Sequence, residues 1–350
     1  MNKVGKLGIS WVALLLLAAP AWAIGPWTAS ASNPVITDDW TLGYNDPDVV
    51  KAGTTYVMYF THAFSDPNNP NASGIYRATS TNGTSWTLDP NIRVAPASTL
   101  SAWDGVKTET PNLVYFNNKW HMYYCGIGSN GIYQIGHATS TDLYTWTKDS
   151  LNPLLTPSSI TDGSMVLHVC EPGAVIFNSR IYLFFVVTKA RPASDNGGFP
   201  AGKIDIYLAQ SVGTSGSGFT TPVKVLSQGS RYPASSGYAG YSTVNVQVYG
   251  GTLHLFHDVY WNNGNPGETD PWDGYYQVAI EHAQSTNGTS WVEDTAPIWK
   301  RDMFTWTARE MRSPSVIRDG TLWKMWFAGD NVSTATWTGQ MGIGYATAPP

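Results

Sequence analysis

Two short stretches place a carboxylate directly before a proline at the opening of an apolar run. They are Asn45-Asp46-Pro47-Asp48 ahead of Val49-Val50, and Cys170-Glu171-Pro172 ahead of Ala174-Val175-Ile176. Asp and Pro are ordinary turn residues, so one such stretch alone would be loop punctuation. Two further acids sit in matching places: Glu109 one residue before Thr110-Pro111, and Glu310 three residues before Ser313-Pro314. A carboxylate that stays ionised beside a carboxyl group kept protonated can perform nucleophilic or general acid–base catalysis. Only 13% of the residues are charged, so acids recurring at one kind of place point to a site.

Residues so far apart need a scaffold that gathers them, and internal repeats supply one. DPDVVKAGTTYVMYF (46–60) is matched by TPNLVYFNNKWHMYY (110–124), EPGAVIFNSRIYLFF (171–185) and SPSVIRDGTLWKMWF (313–327), with a weaker copy, TVNVQVYGGTLHLFH (243–257). The prolines at 47, 111, 172 and 314, with Val244 in the fourth slot, are spaced 64, 61, 72 and 70 residues apart. A second repeat follows: IYRATSTNGTSW (75–86), IGHATSTDLYTW (135–146) and IEHAQSTNGTSW (280–291), with degenerate copies at 206–219 and 343–350. Each unit reads as strand, Gly or Asn turn, strand, loop, strand, turn and a Trp-marked last strand. One small sheet cannot bury both faces alone, so five such units predict an all-β, five-bladed β-propeller of four-stranded antiparallel blades. The inner strands are expected near 47–51, 111–116, 172–177, 244–249 and 314–318. Residues within 27–43 are expected to complete the fifth blade. Asp46, Thr110, Glu171, Thr243 and Ser313 would then surround one mouth of a central channel.

The composition narrows the partners. A net charge of −5 argues against nucleic acid, which wants basic patches. The 16 Trp and 19 Tyr suit strands and also sugar-stacking surfaces. Lys3 and Lys6, the apolar run WVALLLLAA and Ala21-Trp22-Ala23 have the form of a secretory leader over 1–23. The apolar run is too short to span a bilayer. The expectation is a secreted or periplasmic single domain over 24–350, monomeric and without a membrane partner.

With these motifs the chain resembles the five-bladed furanosidase-type propellers, glycoside hydrolase families 43, 32, 62 and 68 and their relatives. Asn45-Asp46-Pro47-Asp48 is similar to the N-D-P-N of family 32 and the D-P of family 43, where the Asp is nucleophile or general base. Cys170-Glu171-Pro172 looks like an inner-strand motif of the same kind, and the A-T-S…W hairpins look like those of this superfamily. The resemblance implies hydrolysis of an arabinan-, xylan- or fructan-like glycan by two carboxyl groups. Retention needs about 5 Å between them and inversion about 6.5–9.5 Å. It also implies acids from the first, third and fourth units, yet the fourth inner strand offers Thr243, Val244 and Asn245. The general acid is therefore expected to be Glu171, with Glu109, Glu310 or His257 as substitutes. A propeller that has lost its acid and only binds glycan is the alternative reading.

The catalytic set read from the sequence is Asp46, Glu171 and Glu310. Glu109, Trp103, Asp104, His168 and Arg312 are expected to bind substrate. Trp103-Asp104 would floor a sugar subsite, His168 would orient a carboxylate, and Arg312 would lie on the same strand face as Glu310. Asp48 is expected to hydrogen-bond the neighbouring blade. His257-Asp258 is expected to end the second strand of unit four and begin a long loop. Cys125 and Cys170 invite a disulfide. No Cys/His spacing suggests zinc, and no cofactor is expected, although the resemblance leaves room for a structural calcium ion.

Overall fold

The computed structural model describes residues 24–39, 43–190, 201–227, 238–262, 275–331 and 340–349. The stretch 1–23, expected to be a leader, lies outside these residues, as does 263–274 of the expected long loop. The chain is all-β and its strands form five antiparallel meanders. The first comprises Tyr44–Ala52, Thr55–Ala63, Ser73–Ser80 and Thr87–Leu88. The second comprises Lys107–Phe116, Lys119–Ile127, Tyr133–Ser140 and Thr147–Lys148. The third runs through Val166–Phe177, Arg180–Ala190, Ala201–Gln210 and Val223–Leu226. The fourth runs through Tyr238–Tyr249, Thr252–Asn262, Tyr275–Ser285 and Val292–Glu293. The fifth has Glu310–Asp319, Leu322–Asp330 and Gln340–Ala348, completed by Thr28–Ala29 and Ile36–Asp39 from the other end of the chain.

Each inner strand packs on the next, and the fifth packs on the first. Hydrogen bonds between side chain and backbone follow the same order. Asp48 Oδ2 accepts the Leu113 N–H at 2.8 Å, and Asn112 Oδ1 accepts that of Ala174 at 2.6 Å. Asn245 Oδ1 accepts the Val316 N–H at 3.1 Å, and Ser315 Oγ that of Val49 at 2.8 Å. The remaining place belongs to Gly173, where a Cβ would lie 2.5 Å from the Val244 carbonyl oxygen, so only glycine lets the third and fourth strands approach. The inter-unit bond expected of Asp48 is thus one member of a series.

Aromatic side chains interlock the outer layers in the same cyclic order. Twelve residues after the proline position stand Tyr59, Tyr123, Phe184, Phe256 and Trp326. Each meets an aromatic ring of the following unit's hairpin: Trp146 on Tyr59, Phe219 on Tyr123, Trp291 on Phe184 and Trp86 on Trp326. Trp27, beside the N-terminal strand, packs edge-on against Phe256 and takes the fifth place. The contacts are edge-on or steeply inclined, the arrangement that ring quadrupoles favour, and such pairs contribute about 0.5–1.5 kcal/mol each beyond burial.

One boundary differs from expectation. The second strand of unit four does not stop at His257-Asp258 but continues to Asn262. His257, Asp258 and Val259 pair in register with Glu281, Ile280 and Ala279, so Asp258 belongs to the interior of a sheet.

Candidate active site

Every inner strand has a register shift at its proline position: between Asn45 and Asp48, Glu109 and Asn112, Cys170 and Gly173, Tyr241 and Val244, and Arg312 and Ser315. The residue before each proline is left-handed, with φ of 50° at Asp46, 51° at Thr110, 53° at Glu171 and 53° at Ser313. This conformation costs a non-glycine residue about 1–3 kcal/mol and persists only where the surroundings enforce it. The next residue's proline disfavours the right-handed alternative. The preceding unit then holds the backbone. Thr61 Oγ1 accepts the Thr110 N–H at 2.9 Å, Cys125 Sγ that of Glu171 at 3.0 Å, and Asp258 Oδ2 that of Ser313 at 2.7 Å. The disulfide joining Cys125 to Cys170 ties the same junction between units two and three. Bulges of this kind re-aim side chains, and here they gather acids from several units.

Asp46 Oδ1 accepts a hydrogen bond from Ser313 Oγ at 2.8 Å, and Oδ2 one from Thr110 Oγ1 at 3.4 Å. Burial pushes the Glu171 carboxyl group well above the usual carboxylate range, and Asp46, Asp258 and Glu109 push it further. The Thr243 hydroxyl opposes this only in part. Glu171 Oε2 has no hydrogen-bond partner among the described residues. Burial also raises Glu109, with Asp46 adding to the effect and Lys107 and the Tyr133 hydroxyl opposing it. Two tyrosines flank the acids. Glu109, burial and Glu171 together hold the Tyr133 phenol protonated, and burial followed by Glu171 does so for Tyr260.

Glu310 and Arg312 do face the same way. Arg312 is 7% exposed and donates to Glu310, to Asp330 Oδ2 at 2.8 Å and, from Nη2 and Nε, to Asn45 Oδ1 at 2.7 and 3.1 Å. Burial raises Glu310 although Arg312 opposes it. Burial also acts on Asp330, but Arg312 and Arg309 outweigh it and hold that group low. Arg312 thereby braces Asn45, the neighbour of Asp46.

The fourth unit does contribute a carboxylate, contrary to the reading of its inner strand. Asp258, on the second strand, is fully buried, and burial raises it to about 7 against the opposing Ser313 N–H and Arg312. Gln277 Nε2 donates to Asp258 Oδ2 at 3.3 Å, while Oδ1 has no hydrogen-bond partner among the described residues. Asp258 stands fourteen residues after Val244, the place that Thr61 and Cys125 hold relative to Pro47 and Pro111. That alignment is the signal that would have found it. His257 points to the opposite face, as strand neighbours do. Its Nδ1 donates to the Asp258 carbonyl at 3.2 Å, and its ring packs edge-on against Tyr241. Among the described residues, His257, Glu281 and Glu293 are a group whose potential ligand atoms all lie within 4.8 Å of one another. Each of the three also makes further contacts.

Trp103 and Asp104 are not brought to the cluster. Trp103 packs on Tyr124 and fills the space above Gly126 and Gly136, where a Cβ would come within 2.4 Å of its ring. Asp104 is 2% exposed, pairs with Lys148 at 2.5 Å and accepts from the Tyr124 hydroxyl at 3.3 Å. His168 Nδ1 accepts the Tyr133 N–H at 3.3 Å and its ring meets Tyr133 edge-on. It therefore touches the partner of Glu109 rather than a carboxylate.

No protein-family model matches the chain, and no curated protein matches it. Solved structures do. A thermostable family-43 glycoside hydrolase is 17% identical with a TM-score of 0.63, over 89% of this chain and 91% of that one. The catalytic domain of the Coprinopsis cinerea GH62 alpha-L-arabinofuranosidase is 17% identical with a TM-score of 0.59, over 92% and 96%. The beta-1,2-mannobiose phosphorylase from Listeria innocua is 11% identical with a TM-score of 0.63, over 92% and 96%. The chain shares the fold of these carbohydrate-active proteins along nearly its whole length.

Proposed function

We propose that the protein is a secreted glycoside hydrolase that cleaves an arabinan-, xylan- or fructan-like glycan at the carboxylate cluster. The observation that carries this reading is Glu171: a carboxyl group kept protonated by burial and by Asp46, on a bulge shared with the other inner strands. Glu171 is the general acid that protonates the leaving oxygen. Asp46 is the nucleophile or the base that activates water. Glu109 and Asp258 raise the proton affinity of Glu171, and Tyr133 and Tyr260 wall the site. Glu310 stabilises Arg312, which positions Asn45 and hence Asp46. The like-fold phosphorylase raises phosphorolysis as an alternative. Hydrolysis is favoured because Arg312, a cation inside the cluster, already donates to Glu310, Asp330 and Asn45 and has little left for phosphate.

In this reading the five meanders are the five blades of one propeller over 24–350, which acts as a monomer in a secreted or periplasmic setting. The chemistry draws on no cofactor. The test is a screen of chromogenic arabinofuranosides, xylosides and galactosides, with arabinan and fructan, using wild type and Asp46→Asn. Turnover in wild type that Asp46→Asn abolishes is the expected result. Oligosaccharide binding without turnover would leave a glycan-binding propeller instead.

A further inference from the structure

The opposite ends of the inner strands surround a cavity of about 420 Å³, lined from all five units. That volume is within the range of small-ligand sites, roughly 300–1,000 Å³. The throat between the two ends is walled by the four prolines and Val244 and holds only about 10 Å³, around the least that one water needs. The two ends are therefore separate compartments.

Four residues after the proline position, the strands present Lys51, Tyr115, Ile176, Val248 and Arg318, all in the cavity wall. Tyr115 is 52% exposed and leans on Trp120, with ring centroids 5.0 Å apart. The Arg318 guanidinium lies 4.8 Å from the Tyr249 ring centre and 5.6 Å from that of Trp323. Its Nε and Nη1 are buried and meet no acceptor among the described residues. Lys51 and Lys324 share Asp319, at 2.5 and 2.6 Å. Among these described residues Lys51, Lys324 and Arg318 set three cations against the one carboxylate of Asp319, in a chain whose net charge is −5.

We propose that this far cavity is a second, non-catalytic carbohydrate site for a sugar that carries a carboxylate, a hexuronate. An exposed ring backed by Trp120 offers an apolar platform with a polar edge to a pyranose face. The guanidinium supplies a fixed positive charge to pair with the carboxylate. A neutral sugar would have no use for the cations, and a simple anion no use for the platform. Because the throat is closed, occupancy here is independent of Asp46 and Glu171.

The experiment is calorimetric titration with trigalacturonate and with neutral maltotriose, beside electrophoresis through gels holding polygalacturonate or dextran sulfate. Wild type is expected to bind trigalacturonate and not maltotriose. Arg318→Gln and, independently, the surface change Tyr115→Ala should each weaken binding about tenfold, a loss of about 1.4 kcal/mol, with unchanged melting temperatures. Asp46→Asn should bind as wild type does. Equal affinity for maltotriose, no binding at all, or retardation by dextran sulfate that matches polygalacturonate and ignores Tyr115→Ala would each overturn the proposal.

Discussion

The same five strands end in two different chemistries. At their N-terminal ends the backbone is bulged, four residues adopt left-handed conformations, and carboxyl groups crowd together away from water. At their far ends the pairing is regular, from Asp48↔Tyr59 to Ala52↔Thr55 in unit one and from Ser315↔Trp326 to Asp319↔Leu322 in unit five. There Lys51 and Lys324 share Asp319, and the half-exposed Tyr115 leans on Trp120. Both ends come from one repeat, so the contrast is not imposed by the fold. It arises from which residues precede and follow the proline. Strain and uncompensated carboxyl groups accumulate at one end because the inter-unit hydrogen bonds and aromatic interlocks hold the strands from outside.

That contrast can be broken at either end. The largest effect is expected from Asp46→Asn, which should lower kcat/KM by at least about 10³-fold on every substrate, as loss of a nucleophile or base does. Tyr115→Ala, at the far end, should leave kcat/KM unchanged under the same assay. Next comes Asp258→Asn, read by denaturant unfolding at several pH values. Asp258 has its folded-state pKa raised from 3.8 to about 7. Its stabilising contribution is therefore complete below the unfolded value and is lost as pH rises through the folded one. Wild type should lose roughly 2–4 kcal/mol between pH 4 and pH 8 through this group, and the variant should show a flatter profile. An unchanged slope would mean that Asp258 is not held protonated.

Smaller changes sharpen the account of how the ring is held. Gly173→Ala forces a Cβ to within 2.5 Å of the Val244 carbonyl oxygen and should cost about 1–3 kcal/mol by overpacking. Ser315→Ala removes the acceptor of the Val49 N–H and should cost about 1 kcal/mol. Chemical denaturation checks both. A neutral Gly173→Ala would show that the third and fourth strands need not approach so closely.

Much of this architecture was legible because it repeats. The proline phase located all five inner strands, and residues within 27–43 were expected to complete the fifth unit, as Thr28–Ala29 and Ile36–Asp39 do. The disulfide and the Asp48 bond followed from adjacency of neighbouring units. Asp258 was hidden because a run of aromatic and polar residues after His257 resembled a loop, and only strand pairing turns its side chain toward the acids. Trp103-Asp104 misled for a related reason: nearness in sequence to an inner strand says nothing of which face a loop covers. Gly126 and Gly136, glycines inside strands, were the available sign that something large packs over them.

The central claim is that Glu171 donates the proton to the leaving oxygen, and one series of rates tests it most directly. The kcat/KM of wild type and Glu171→Gln should be compared across aryl glycosides of increasing leaving-group acidity. General acid catalysis is worth about 10²–10⁴-fold, so the variant should lose that much on the poorest leaving groups and progressively less on activated ones. A loss that is the same for every leaving group, or no loss at all, would contradict the assignment and place the acid elsewhere in the cluster.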